Sequence, residues 1–408
     1  MSVLVFLRES DLSPAGGPLG VGYYIHEEAK KRDLLNQIFF LSGGGTASTS
    51  KTLMKNIVNE LPEVIRKHIR SIRRLANVRK LLLSTSPSPE LEKYDAVHFH
   101  STLDLWLSRN ALKNYKGVVI LTSHSPVPSF EEMEEYCTTA YEKFWFRVNR
   151  ERFIEIDRFA FSRSDYVIFP TEGAMDAYYS HWPEFKSVIK DKQVCFITTG
   201  ISPRFAQLSR PQIIQKLGLA TNDFLISYAG RHNYVKGYDL LKILAKSLFE
   251  IDGKIKVIAA GTEQPLKRLD HPSWLEIGFT KDPYSYIAAS DILIVPNRET
   301  YFDLVILEGL SLGKIILASN VGGNKYFCNN DVPGVFLYDS LDEAKRIIKK
   351  LKEMPLNERD ELGRKNFDFY NKHLTLTCFF DSYLAFLYKI GVMKTKGNCD
   401  DICNCSCQ

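Results

Sequence analysis

Apolar residues in this chain fall in short, β-branched runs. Each run ends in a polar or glycine-bearing turn, and most turns lead into a stretch with helical spacing. Residues 3–7, 37–41, 96–99, 117–122, 165–169 and 195–199 are such runs in the first half. Residues 224–229, 256–261, 274–279, 292–295, 315–319 and 334–338 repeat the pattern in the second. Near-continuous apolar runs suit strands buried on both faces of a parallel sheet. Strands alternating with helices predict an α/β chain with doubly wound parallel sheets. Residues 203–222 are polar and contain Pro203 and Pro211, which places a domain boundary there. We read residues 1–205 as one Rossmann-like domain and 206–375 as a second. A helix at 376–391 is long enough to pack back toward the first domain, and 392–408 form a Cys-rich, disordered tail.

In open α/β sheets, ligands bind outside the carboxyl ends of the strands, so the turns there carry the candidate chemistry. After the first strand come Gly16 and Gly17. Bare backbone N–H groups in such a turn suit an anion or a closely approaching ligand, and an ordinary surface loop has the same composition. The third strand ends in His98, His100 and Ser101, and the fourth in His124 before Ser125-Pro126. These histidines suit a catalytic base, sugar-binding donors or a structural role. The carboxylates usual beside a catalytic metal are missing.

The second half is more specific. Gly230-Arg231 and Lys236-Gly237 place two cations at a strand end just before a helix. An Arg fork, a Lys point charge and free helix-start N–H groups are what a diphosphate requires. Residues 296–303 form a polar turn, and a helix is predicted from Asp303 to Gly313, a favoured C′ glycine. Glu308 lies in that helix among apolar neighbours, either on its wet face or at a site. Gly322-Gly323 closes the next strand.

Composition narrows the classes. A chain of 408 residues exceeds a single core. Its hydrophobic (45%) and charged (25%) fractions are those of a soluble globular protein. A net charge of +5 without a nucleic-acid motif gives no reason to invoke nucleic acid. No apolar run approaches the ~20 residues needed to span a bilayer, and the start reads as a strand, so a cytoplasmic location is expected. Residues 51–80 carry nine Lys/Arg against two Glu, with Val64, Ile65, Ile69, Ile72 and Ala76 at helical spacing. Such a helix either lies peripherally on an anionic membrane face or is simply solvated. The aromatics Phe144, Trp145, Phe146 and Phe153 read as core. So do Cys137, Cys195, Cys328 and Cys378. Cys399, Cys403, Cys405 and Cys407 crowd the tail in no standard zinc spacing, and both soft-metal binding and a redox-exposed tail stay open.

Together these residues resemble the retaining glycosyltransferases of family 4 (glycosyl transferases group 1), which have the two-domain GT-B fold. Gly230-Arg231, Lys236-Gly237, the run 302–313 and residues 318–323 carry most of the resemblance. Gly16-Gly17, residues 98–101 and residues 122–126 add to it in the expected order. The resemblance implies two Rossmann-like domains facing a central cleft, with the acceptor on the first and a nucleotide sugar, foremost a UDP-sugar, on the second. Arg231 and Lys236 would hold the diphosphate and neutralise it as it leaves. Gly230, Glu308, Glu299, Thr300, Phe302, Asp303 and Leu304, with Gly16 and Gly17, would bind the donor. Glu308 would accept from the ribose hydroxyls. His124 would sit near the transferred sugar, and His98, His100 and Ser101 on the acceptor side. No cofactor or metal is implied, and no Asp-x-Asp sequence occurs. The acceptor class is a glycan, lipid-linked sugar or glycoprotein of cell-surface polysaccharide or glycoprotein synthesis. One departure stands out. The family pattern has a second Glu eight residues before the first, where this chain has Thr300. Glu299 is one residue early, and Asp303 occupies a usual Gly position, suiting either sugar contact or an N-cap. A nucleotide-sugar 2-epimerase on the same fold and a non-catalytic partner subunit are the alternatives.

Overall fold

The structure is a computed structural model and describes residues 1–7, 12, 18–41, 62–84, 90–135, 137, 139–263 and 265–394. Gly16, Gly17, the start of the basic segment (51–61) and the four tail cysteines lie outside the described residues. The chain divides into two units. One comprises residues 1–169, 178–197 and 380 onward, the other 170–177 and 198–379.

In the first unit the strands are β1 (Val3–Phe6), β2 (Ile38–Phe40), β3 (Ala96–Phe99), β4 (Val118–Thr122), β5 (Tyr166–Phe169) and β6 (Gln193–Phe196). They form one sheet in the order β2-β1-β3-β4-β5-β6, and every pairing is parallel. Strands β1 and β3 are buried throughout, as a sheet with crossover helices on both faces requires. Helix Arg150–Arg163 buries Phe153, Ile154, Ile156, Ala160 and Phe161. The C-terminal helix, Leu376–Lys389, contributes Phe380, Tyr383, Phe386 and Leu387 to this core. Arg32 fastens it by an ion pair with Asp381 and by stacking over the Phe380 ring.

Two expected core residues are exposed, and Trp145 and Cys378 are only half-buried. Helix Ala140–Val148 turns Glu142 and Phe146 inward. Phe144, two positions from each, projects from the opposite side and is exposed. Cys328 is also exposed, because the short helix Lys325–Asn329 buries its neighbour Phe327 instead.

The second unit holds β7 (Phe224–Ala229), β8 (Ile255–Ala260), β9 (Trp274–Gly278), β10 (Ile292–Val295), β11 (Ile315–Ser319) and β12 (Val335–Tyr338). Their order is β12-β11-β10-β7-β8-β9, again fully parallel. The winding reverses between β7 and β10, which opens a crevice at their carboxyl ends. Helix Leu304–Ser311 packs close to the sheet at Gly309, where a Cβ would stand 2.6 Å from Ile316 Cδ1 and 2.7 Å from Leu293 Cδ2. Gly313 ends that turn with φ +63°, the left-handed conformation glycine tolerates.

Candidate functional site

The crevice of the second unit is built from two turns. Residues 230–237 join β7 to helix Tyr238–Phe249. Gly237 caps that helix with φ +63°, and a Cβ there would lie 1.7 Å from the Pro296 carbonyl oxygen. Only glycine lets the loop after β7 press against the end of β10. Between the two cations, His232 is fully buried and stacks flat on Tyr238, with centroids 3.9 Å apart. That contact pins the middle of the loop. The Tyr228 hydroxyl donates to the Arg231 carbonyl at 2.7 Å, while the Arg231 side chain is exposed and makes no ion pair among the described residues. The helix start adds its positive dipole end to the same loop, while its first N–H groups are taken up internally, that of Tyr238 by the Asn233 carbonyl at 3.2 Å and those of Asp239 and Leu240 by the Asp239 carboxylate.

Lys236 is already engaged. Its backbone N–H donates to Asn233 Oδ1 at 2.9 Å, and its Nζ donates to Asp303 Oδ2 at 2.6 Å. Asn297 Nδ2 donates to the same Oδ2. Asp303 Oδ1 accepts from the Val305 N–H at 3.3 Å, so Asp303 is also the N-cap of helix Leu304–Ser311. Burial works to raise the pKa of this carboxyl. Lys236, Asn297 and the Val305 N–H outweigh burial and hold it below its ordinary value.

Glu308 sits one turn along the same helix. Arg204 approaches its Oε1 with Nε at 3.2 Å and Nη2 at 3.1 Å, and the Tyr284 hydroxyl donates to Oε1 at 3.1 Å. All three contacts fall on Oε1, and Oε2 carries none of them. Arg204 is held in turn: its N–H donates to Ser311 Oγ at 3.2 Å, and its guanidinium lies 5.2 Å from the Tyr284 ring centroid. Burial raises the Glu308 pKa, and Arg204 and Tyr284 oppose the rise.

The turn at 299–303 is shaped by the glycines after β11. The Gly323 N–H donates to the Thr300 carbonyl at 3.2 Å. A Cβ on Gly322 (φ +48°) would stand 2.1 Å from that carbonyl, and one on Gly323 2.2 Å from the carbonyl of Tyr301. Thr300 is buried and Glu299 half-buried. Phe302 stacks on Phe327 and meets Tyr326 edge-on, with Leu304 packed against the same cluster. The Phe302 ring is therefore committed to the core, and only its backbone is available to a ligand. Arg298 ties this turn to the other by a bidentate pair with Asp239, both distances 2.7 Å.

In the first unit, β3 and β4 bring His98, His100 and His124 together. His98 is buried. Its Nδ1 pairs with Tyr383 Oη at 3.0 Å and its Nε2 with Thr122 Oγ1 at 2.9 Å. Both ring nitrogens are occupied, which makes His98 a tie to the C-terminal helix and leaves it nothing to offer an acceptor. His100 Nδ1 meets His124 Nε2 at 2.8 Å in a stacked pair, and His100 Nε2 is buried without a partner among the described residues. His124 adopts φ +56°, a costly conformation for a non-glycine residue. Burial lowers the pKa of all three, His98 and His124 to about 3. Ser101 caps helix Thr102–Leu107 by accepting from the Asp104 N–H at 3.4 Å.

The sequence pattern did not single out Arg204 or Tyr284, which only the fold brings to Glu308, 104 and 24 residues away. Asn297 lies in the polar turn 296–303, but its pairing with Asp303 was not read from the sequence.

Comparison with known proteins bears on the family and the fold. Residues 21–204 match the model for Glycosyltransferase Family 4, and residues 209–368 match that for Glycosyl transferases group 1. An uncharacterized 41.2 kDa protein in the cps region of Klebsiella pneumoniae is 21% identical over 348 residues, covering 79% of this chain and 91% of the other. The lipopolysaccharide 1,2-N-acetylglucosaminetransferase of Salmonella typhimurium is 27% identical over 171 residues, 37% of this chain and 44% of that one. Among solved structures, Anabaena HepE in complex with UDP-glucose superposes with a TM-score of 0.61 at 14% identity, covering 95% of this chain and all of the other (100%). Two family models matched in order along the chain, over two parallel six-stranded sheets, establish that the chain belongs to the group 1 glycosyltransferases, enzymes of the two-domain GT-B type.

Proposed function

We propose that this glycosyltransferase moves a hexosyl or N-acetylhexosaminyl group from a nucleoside diphosphate sugar, foremost a UDP-sugar, to a cell-surface glycan or lipid-linked acceptor with retention of configuration. One arrangement carries the reading: an exposed Arg231 and a helix start on one side of the β7/β10 crevice, and the uncommitted Oε2 of Glu308 on the other. Arg231 and Lys236 meet the diphosphate, with the positive end of the helix dipole behind them, and neutralise the charge that grows on it as the glycosidic bond breaks. Glu308 Oε2 accepts from the ribose hydroxyls. Thr300, Glu299 and Asp303 line the turn that takes the sugar. His124, strained and paired with His100, is the residue of the first unit assigned to the transferred sugar. The site works without a cofactor in this scheme.

The printed names of relatives support the substrate class: UDP-glucose in the HepE complex and N-acetylglucosamine transfer to lipopolysaccharide in Salmonella. Peripheral contact with an anionic membrane through residues 51–80 belongs to the same reading. A thermal-shift panel of nucleoside diphosphates and their sugars tests the donor, since a ligand bound to the native state raises the apparent melting temperature. UDP and UDP-sugars should raise it, and Arg231→Ala should abolish the rise. Sugar transfer that requires an acceptor excludes epimerisation, and an epimerised donor formed without acceptor would reverse the assignment.

A further inference from the structure

Between Arg231 and Lys236 the loop after β7 buries an imidazole. His232 is fully buried, and neither of its ring nitrogens has a hydrogen-bond partner among the described residues. Its backbone is fixed on both sides. The N–H donates to the Thr262 carbonyl at 3.3 Å, and the carbonyl accepts from the Leu266 N–H at 3.0 Å. The ring is fixed too. It lies flat on Tyr238, and Nε2 sits so close to Gly261 that a Cβ there would stand 2.9 Å from it.

Opposite that nitrogen is a buried carboxylate. The side chain of Glu276, on β9, is 6% exposed, and its Oε1 lies 3.7 Å from His232 Nε2. The Tyr238 hydroxyl and Trp274 Nε1 donate to Oε2 at 2.8 and 3.1 Å, and the Gly278 N–H donates to Oε1 at 3.4 Å. All three donors are neutral. Among the described residues no Lys or Arg comes within ion-pair reach of Glu276, so an imidazolium at position 232 is its available counter-ion. A buried carboxylate without a counter-ion is costly. Burial opposes a charge on His232 most strongly and Lys242 adds to that, while Glu276 and Glu263 favour the charge; the pKa is held below its ordinary value. Tyr228 and Tyr238, the other titratable groups against the ring, are kept neutral by burial. The free protein therefore holds a neutral imidazole near pH 7, facing a carboxylate that lacks a cation.

We propose that His232 is a positioning residue of the diphosphate loop: it takes up a proton from solvent when the donor binds, and the imidazolium, paired with Glu276, sets a third positive charge behind Arg231 and Lys236. The negative charge of a diphosphate arriving on the loop favours a cation in the loop's buried interior. Glu276 then gains its counter-ion at the same moment. The added charge stays in place while the leaving diphosphate grows more negative. The ring itself does not touch the donor; it acts through the two cations whose loop it anchors. The inference rests on the reading of residues 230–237 as the diphosphate loop.

The test is calorimetric titration of the full chain with UDP in buffers of different ionisation enthalpy, which counts the protons taken up per UDP bound. His232→Phe keeps a ring against Tyr238, and Glu276→Gln keeps an acceptor for Tyr238 and Trp274. Wild type should take up more of a proton at pH 7 than either variant, the ionisation of UDP itself being common to all three. From pH 8 to pH 6 the UDP affinity of wild type relative to either variant should rise about three- to tenfold. In wild type alone, the pKa of the His232 imidazole followed by NMR should rise when UDP is added, a measurement that needs no variant to fold. Variants that weaken UDP by one factor at every pH, with proton uptake equal to that of wild type, would make His232 a packing residue and overturn the proposal. So would an imidazole whose pKa does not move with UDP. Failure of wild type to bind UDP or any other nucleoside diphosphate would instead overturn the donor reading, and this inference with it.

Discussion

Arg204 reaches Glu308 Oε1 with two guanidinium nitrogens, at 3.2 and 3.1 Å, across 104 residues of sequence. The pair orients a partly buried carboxylate and favours its charged form against burial, as an acceptor of ribose hydroxyls requires. Burial raises the Glu308 pKa and Arg204 opposes the rise, so removing Arg204 lets it climb further. Arg204→Met should bind UDP about tenfold or more weakly near neutral pH. Its affinity should recover as pH is raised and Glu308 ionises. Calorimetric titration of wild type, Arg204→Met and Glu308→Gln across pH checks this. A Met variant that is weak at every pH would make Arg204 a packing residue only.

The two diphosphate cations should differ in what their loss does to the fold. Arg231 is exposed and makes no ion pair among the described residues, so Arg231→Ala should cut turnover by about 10²-fold with no loss of stability. Lys236 neutralises the buried Asp303, so Lys236→Ala should cost similar activity and about 2–4 kcal/mol of stability as well. Turnover and urea unfolding of the two variants separate the effects.

Asp303 sits beside the proposed diphosphate with a negative charge. Asp303→Asn keeps a capping side chain for helix Leu304–Ser311 and releases Lys236. UDP should then bind about fivefold more tightly, the scale of one screened charge repulsion removed. Sugar transfer should fall if Asp303 contacts the sugar. Weaker UDP binding in this variant would show that the Lys236–Asp303 pair organises the phosphate site.

The three histidines predict an acid limit on stability. Burial lowers their pKa values in the folded protein, His98 and His124 to about 3, against an ordinary value near 6.5. The unfolded chain therefore binds more protons between those values, and stability falls as pH drops from about 6.5 toward 3. Each histidine contributes up to about 1.4 kcal/mol per pH unit. Denaturant unfolding at pH 7, 6 and 5 should show the slope. His98→Asn should flatten it, although it loosens the tie to Tyr383.

Strand periodicity, the glycine turns and the charged pairs near them were legible in the sequence because each is a local pattern. Both parallel sheets, Gly237 before its helix and Gly313 after its own follow from runs of a few residues. Phe144 was not legible: its position relative to the buried Glu142 and Phe146 depends on which face the helix turns inward. The ambiguity between Glu299, Thr300 and Asp303 was also local in sequence. The structure gives Asp303 two tasks, capping and pairing with Lys236, and the latter spans 67 residues. By itself the sequence determined the alternation of elements, the crevice-end turns and the identity of Glu308, Arg231 and Lys236 as candidates. Only the tertiary structure decided that Arg204 and Tyr284 hold Glu308 by one oxygen and that His98 is spent on Tyr383. Such contacts join residues far apart in the chain, and no short-range pattern in the sequence records them.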